Sequence, residues 1–514
     1  MVSDQDISKL VSSAGLVLAG GLLTSVLELV ERIIIARALS VDAYGEVSLG
    51  IAVMTMGVTL GLAGFQQGIP RYMSRFDEER DIRGAWLTGL LIGVGLAVVF
   101  AGVIVFAGDT VVSLLFEGEA AGQLVLLFAL AIPFQAGLAV GIGAVRGLEN
   151  TIYKTIGNDF FYNGFRILTL IALLWLGLDV VAAGYAYVIA AAAGCVVMHL
   201  LFRKLLPLRG PHRLHTCEMV RFSAPLMLST VIGLLLARTD TLMLGYFRSS
   251  AEVGIYNAAY PLATGMLVVL GSFGFMYLPV ASRLDADDQR EEVDAAYKLT
   301  TKWIYVLAFP IFLVLVAFPA DVLTIIFGSE YVAGALALQI LTIGFFANAA
   351  GGRNRETLAA FGFTEYVLLT NGVALVVNVV LNLALVPAYG VTGASVASAA
   401  SFITMNAFVV GLLHWKFGVS PFSRPSTRTF LVLPAVLLPL GFALAEILTL
   451  SVLTLPVVAL VACLATVYTA AVTGCLQAED RIPLELVEEW TGLRLPLLSQ
   501  FVPEREAADG GEVG

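Results

Sequence analysis

Arg166 lies about fourteen residues into an apolar run that begins near residue 152, far from any water that could solvate its charge. A guanidinium fork can hold two oxygens of a phosphate or carboxylate at once, and it stays protonated. So costly a placement points to contact with an anionic substrate, with Asn163 beside it on the same helical face. The local alternative is a partnership with Asp159 and Asn163, seven and three residues back, that makes Arg166 a packing element.

Arg238 and Asp240 form a second constellation, two positions apart and therefore on different helical faces, so each must find its partner elsewhere. Arg238 is expected to contact substrate or serve a gate, and Asp240 to take part in ion coupling or gating. Glu28, Glu31 and Arg32 close the first apolar run. Glu28 and Arg32 have the i,i+4 spacing of a helix-stabilising bridge. The functional reading gives Arg32 to the substrate and lets Glu28, Glu31 and Asp159 bind a coupling H⁺ or Na⁺. Arg353 and Arg355, after Gly351-Gly352, fit anchoring at a membrane face, and Asn371, Asn378 and Asn382 share one helical stripe.

The elements that position these residues follow from composition. Of 514 residues, 59% are hydrophobic and 13% charged, against about a quarter charged in soluble domains. Apolar runs of roughly twenty residues recur, each long enough to cross about 30 Å of hydrocarbon as a helix and too long for a barrel strand. The fold class is all-α and polytopic, with spans expected near 12–35, 44–67, 85–107, 121–145, 152–176, 180–202, 222–246, 254–279, 299–319, 331–351, 364–387, 391–415, 428–449 and 452–475. Pro70, Pro133, Pro225, Pro261, Pro279 and Pro310 could kink these spans or mark their ends.

Charge tests that count. With the N-terminus inside, most of the 29 basic residues fall in alternate loops, as the positive-inside rule requires, while Arg32, Arg37 and Arg248 lie on the far side. Both termini are then cytoplasmic and the protein resides in the cytoplasmic membrane. The start, Met1-Val-Ser-Asp-Gln-Asp, lacks a basic n-region, so the first run is expected to stay as a span. From Glu479 onward nine acidic residues face three arginines, the composition of a solvated tail with no affinity for nucleic acid. Cys195, Cys217, Cys463 and Cys475 are scattered, so neither a metal site nor a disulfide framework is expected, and no cofactor beyond a coupling Na⁺ or H⁺.

A weak internal echo divides the chain. Asp42-Ala-Tyr-Gly45 parallels Ala251-Glu-Val-Gly254, Ile69-Pro70 parallels Leu278-Pro279, and Gly147-Leu-Glu-Asn150 parallels Gly362-Phe-Thr-Glu365. Spans 1–6 then correspond to spans 7–12. The expected organisation is a six-helix bundle over 1–206, a cytoplasmic linker 207–220, a pseudo-symmetric second bundle 221–418, two additional spans over 419–477, and an acidic cytoplasmic tail 478–514.

At these residues the chain resembles the multidrug/oligosaccharidyl-lipid/polysaccharide (MOP) exporter superfamily, in particular its polysaccharide transporter branch. The likeness rests on Ala36-Arg-Ala-Leu-Ser-Val-Asp-Ala-Tyr-Gly45, on Arg238-Thr-Asp-Thr-Leu-Met-Leu-Gly245 with Val253-Gly-Ile-Tyr-Asn257, and most specifically on Asn378-Val-Val-Leu-Asn-Leu-Ala-Leu-Val-Pro-Ala-Tyr-Gly-Val-Thr-Gly-Ala394. The resemblance implies two bundles around a central cavity that opens alternately to each side. It implies a cargo of lipid-linked (di)phosphate oligosaccharide, with the bilayer and glycan assembly enzymes as partners and with no enzymatic step. Arginines inside the membrane suit such an anionic head. A cation-coupled multidrug exporter of the same superfamily would call for a more apolar, acid-lined pocket. A membrane glycosyltransferase would need an acidic site in a sizeable loop, whereas Asp109, Glu117, Glu119 and their like are scattered in short links.

Overall fold

In hydrocarbon every backbone N–H and C=O must be satisfied within the chain, which leaves long apolar runs the helix. In the computed structural model, which describes residues 4–477 and 480, the described residues form helices and no strand. Eleven helices among them are long and apolar enough to cross a membrane. One of these, Thr364–Phe417, is 54 residues long and consists of two helices meeting at Gly390, whose φ of 52° only glycine adopts readily. It therefore holds two of the expected spans. The expected positions 12–35 and 152–176 are helical as well, within Asp4–Ala38 and across Thr151–Trp175.

Some expected ends shift. The second span stops at Leu62 rather than continuing to 67, because Ala63 (φ 46°) and Gly64 (φ 82°) both take the left-handed conformation that ends a helix. Pro70 consequently sits in a separate short helix, Phe65–Met73. The fifth span is widened into a π-helical stretch over Thr155–Tyr162, a form that recurs at functional sites.

By packing the chain divides into two compact units, and their limits cut across the bundles expected over 1–206 and 221–418. The first comprises 1–261, 326–334 and 375–397; the second comprises 262–325, 335–374 and the chain from 398 onward.

Within the first unit, repeat-related residues meet. A Cβ on Gly45 would stand 1.8 Å from the Ser250 carbonyl oxygen, and one on Gly254 would stand 2.3 Å from that of Val41. The two glycines of the echo thus allow Val41–Leu62 and Ser250–Thr264 to touch backbone to backbone, and the Tyr44 hydroxyl donates to the Asn257 carbonyl at 3.0 Å beside them. Gly45→Ala is expected to lower stability by about 1–3 kcal/mol through overpacking. Gly102→Ala, where a Cβ meets nothing within 4 Å, should leave it unchanged or slightly raised. Thermal unfolding of the two variants in detergent makes the comparison.

The second unit is built around Tyr277, Val293, Tyr297, Leu358, Val409 and Leu413, with the Tyr297 hydroxyl donating to the Gly351 carbonyl at 2.7 Å. Asn406 bridges Asn348 and Asn354 through two buried side-chain hydrogen bonds of 2.9 Å. Arg353, read from sequence as a membrane-face anchor, is buried, donating to the Leu270 carbonyl at 3.0 Å and pairing with Glu356 at 2.9 Å. Asp480 departs from the expected solvated tail. It is 0% exposed, pairs with the buried Lys302, and accepts the Trp303 indole N–H at 2.8 Å. A carboxylate can leave water there because a cation and an indole await it. The rest of the expected tail, 478–479 and 481–514, lies outside the described residues. Lys302→Ala strands a buried carboxylate and is expected to cost about 3–5 kcal/mol, read as an earlier thermal transition. Replacing Asp480 by leucine in the same chain should restore part of it.

Candidate functional site

Within the first unit a cavity of about 300 Å³ gathers five of the residues singled out from sequence. Asp4–Ala38 contributes Glu28, Glu31 and Arg32; the π-helical stretch and the helix after it contribute Tyr162 and Arg166; Thr216–Phe247 contributes Arg238. Tyr44, Ser48, Thr55, Gln135, Tyr187 and Asn257 complete the polar lining, and Ile35, Ile51, Met54 and Val58 the apolar part.

Arg166 takes neither of the local partners its spacing offered. Its guanidinium forms an ion pair with Glu31, on a helix 135 residues away, and donates through Nη1 to the Tyr162 hydroxyl at 2.7 Å. The rings of Tyr162 and Tyr187 lie 4.9 and 4.7 Å from its central carbon, a cation–π arrangement on two sides. Arg166 is 5% exposed and Glu31 3%, so the pair is held out of solvent and its charges largely cancel within the wall. The π-helical turns are the physical reason for the change of partner. A widened turn rotates the residues before it away from the face predicted for a regular helix, so Asp159 no longer stands below Arg166.

Asp159 instead anchors a separate buried cluster. It accepts from Lys154 Nζ at 2.7 Å, from Asn158 at 2.8 Å and from the Thr24 hydroxyl at 3.2 Å. Asn163, expected at the substrate, belongs to this cluster and not to the cavity lining, its amide donating to the Asn158 carbonyl at 3.3 Å. A carboxylate this close to Gly20 leaves room only for glycine, since a Cβ there would meet it at 2.4 Å.

Arg32 and Arg238 are different. Both are half-buried in the cavity wall, and among the described residues neither has a carboxylate within ion-pair distance; the expected Glu28–Arg32 bridge does not close. With Glu31 already matched by Arg166, the cavity holds two further cations against the single carboxylate of Glu28. Such a lining favours an anion.

Asp240 turns away from Arg238, as its spacing required. It accepts from the Tyr256 hydroxyl at 2.7 Å, from Asn378 at 3.1 Å and from Asn382 at 2.6 Å, all buried. Asn378 and Asn382 are two members of the asparagine stripe read from sequence, now seen to reach a carboxylate. Sequence reasoning missed Tyr162, Tyr187, Gln135, Tyr44 and Asn257. Tyr162 stands four residues before Arg166 and was open to inference. Tyr187 and Gln135 come from other helices, and nothing in their local sequence marks them.

Comparisons with known proteins agree with the fold. A family model described as polysaccharide biosynthesis protein matches residues 10–285, and a second, MatE, matches 225–384. A probable low-salt glycan biosynthesis flippase, Agl15, of Haloferax volcanii is 23% identical over 295 residues, covering 56% of this chain and 60% of that protein. An uncharacterised membrane protein of Methanocaldococcus jannaschii is 22% identical over 306 residues, covering 56% of this chain and 71% of its own length. The match to the Haloferax protein thus spans about three fifths of that relative. Among solved structures, a lipid II flippase MurJ in an inward closed conformation aligns with a TM-score of 0.68 at 12% identity, over 87% of this chain and 97% of that one. An inward-facing multidrug resistance MATE family transporter of the MOP superfamily aligns at 0.63 and 16% identity, over 75% and 92%. At such identities the likeness is one of fold.

Proposed function

This chain belongs to the polysaccharide biosynthesis protein family, and from that membership and its resemblance to the MOP superfamily we propose that it is a flippase moving a lipid-linked oligosaccharide across the cytoplasmic membrane by alternating access. It is a multi-pass membrane protein, and the alternation of basic loops supports placing both termini in the cytoplasm.

The observation that carries the reading is the pair Arg32 and Arg238, two cations that have no carboxylate partner among the described residues, in the wall of a cavity built by apolar helices. A lipid-linked glycan brings a phosphate or diphosphate into the membrane interior. Two guanidinium groups can replace the water it loses there, while the lipid tail stays in the bilayer. Coupling falls to a buried carboxylate. Asp240, ringed by Tyr256, Asn378 and Asn382, and Asp159, held by Lys154, are the candidates to exchange Na⁺ or H⁺. No enzymatic step is required of the chain, and glycan assembly enzymes would supply its cargo. The multidrug reading draws on the MatE match, but the cavity sets three arginines against two carboxylates, a poor lining for cationic drugs.

The test is binding of a polyprenyl diphosphate to the purified protein in nanodiscs. The Arg32→Ala, Arg238→Ala double variant is expected to bind at least about a hundredfold more weakly, since each charge-assisted contact contributes about 1.5–3 kcal/mol. Unchanged affinity in a folded double variant would remove the phosphate from this cavity.

A further inference from the structure

The Arg166–Glu31 pair is poorly suited to hold a phosphate, because its cation is already matched and its guanidinium lies between two tyrosine rings. Its unused hydrogen-bonding capacity shows what it can hold. The Tyr162 hydroxyl accepts from Arg166 Nη1 at 2.7 Å and from the Gln135 amide. A hydroxyl has two lone pairs and one proton, so both lone pairs are taken and the O–H remains to donate. On the same wall Glu31 commits Oε2 to Arg166, while its Oε1 is buried with no hydrogen-bond partner among the described residues. Arg166 Nε likewise has no acceptor.

The wall therefore holds, just beneath its surface, one carboxylate oxygen that lacks a donor and two N–H or O–H groups that lack acceptors, on residues that line the cavity, with aromatic faces adjoining. A phosphate oxygen is only an acceptor and would leave Glu31 Oε1 unpaired and repelled. The hydroxyls of a sugar ring both donate and accept, so one can donate to Glu31 Oε1 and accept from Arg166 Nε–H while another accepts from Tyr162. We propose that Glu31, Tyr162 and Arg166 form a glycan subsite, distinct from the phosphate subsite at Arg32 and Arg238, which recognises the hydroxyls of a sugar ring close to the lipid phosphate. The assignment rests on the proposed function and divides its cavity in two.

The test compares two ligands on the full-length protein in nanodiscs: a polyprenyl diphosphate carrying a single hexose, and the same lipid diphosphate without sugar. The intact protein is expected to bind the glycosylated lipid about tenfold more tightly, a difference expected from hydrogen bonds that involve a charged partner. Tyr162→Phe should bring that preference to within about twofold while keeping affinity for the bare lipid, and Glu31→Gln, which also frees the Arg166 charge, should lose the preference while binding the bare lipid at least as tightly. Arg32→Ala should weaken both ligands alike. Should Glu31→Gln fail to fold, Tyr162→Phe, which removes one oxygen, decides. Retention of the preference in folded Tyr162→Phe overturns the subsite, as does an intact protein that binds both lipids equally. If the intact protein binds neither lipid, the proposed function fails and the subsite with it.

Discussion

Arg166→Ala is expected to abolish transport and to lower the stability of the chain by about 3–5 kcal/mol, because it leaves the Glu31 carboxylate buried without its cation. The substitution also removes the donor to Tyr162 and the cation between the rings of Tyr162 and Tyr187, so the wall loses its order as well as its charge. Arg166→Lys keeps the charge but not the fork. One ammonium can face Glu31 while the planar stack is lost, and part of the transport should survive. Loss of stability and loss of transport separate in a third variant. Glu31→Gln added to Arg166→Ala removes the stranded charge and should recover most of the thermal midpoint with transport still absent. Paired measurements of unfolding in detergent and of flipping in vesicles follow both quantities. Normal transport by a correctly inserted Arg166→Ala protein would exclude the residue from the mechanism.

The second large effect is expected at Asp240. Replacing it by alanine takes away the acceptor used by Tyr256, Asn378 and Asn382 in a buried setting, at about 1–3 kcal/mol for each donor left unsatisfied. Asp240→Asn preserves the shape and removes the charge that an ion would exchange, with its amide N–H donating to the Tyr256 hydroxyl in place of the acceptor lost. It should fold, bind lipid in the cavity, and lose the dependence of transport on a Na⁺ or H⁺ gradient. Full gradient dependence in Asp240→Asn would move coupling elsewhere, with Asp159 as the next carboxylate to replace.

What the sequence discloses, and what it hides, divides along physical lines. Apolar runs are visible because hydrocarbon forces hydrophobicity on every turn of a spanning helix, and eleven helices among the described residues are long and apolar enough to cross a membrane. The charged residues of the cavity are visible for the converse reason, since a charge within such a run stands out. Their partners are not. Arg166 finds Glu31 on a helix 135 residues distant, a pairing set by how helices pack and by π-helical turns that no residue pattern announces. Asp240 is intermediate: its spacing from Arg238 required an outside partner, and the stripe of Asn378 and Asn382 offered one, but only packing joins them. Asn163 shares one regular helix with Arg166, and only packing sends its amide to the Asn158 carbonyl and keeps it out of the cavity lining. Asp480 read as one more tail carboxylate because nothing local distinguishes it, whereas Lys302 and Trp303 hold it buried. The echo of Gly45 in Gly254 is weak as a sequence signal. The structure shows that the two glycines face each other's helices, a contact the sequence signal does not disclose.

On the proposed function, Arg32 and Arg238 carry an anionic lipid-linked sugar through the membrane. That reading is tested most directly by reconstituting the purified chain in vesicles with a fluorescent polyprenyl diphosphate hexose, and measuring how fast label in one leaflet becomes accessible at the other. The expected result is a rate well above that of protein-free vesicles, reduced to background in the folded Arg32→Ala, Arg238→Ala variant. A wild-type rate no different from empty vesicles, or a double variant as fast as wild type, would contradict it.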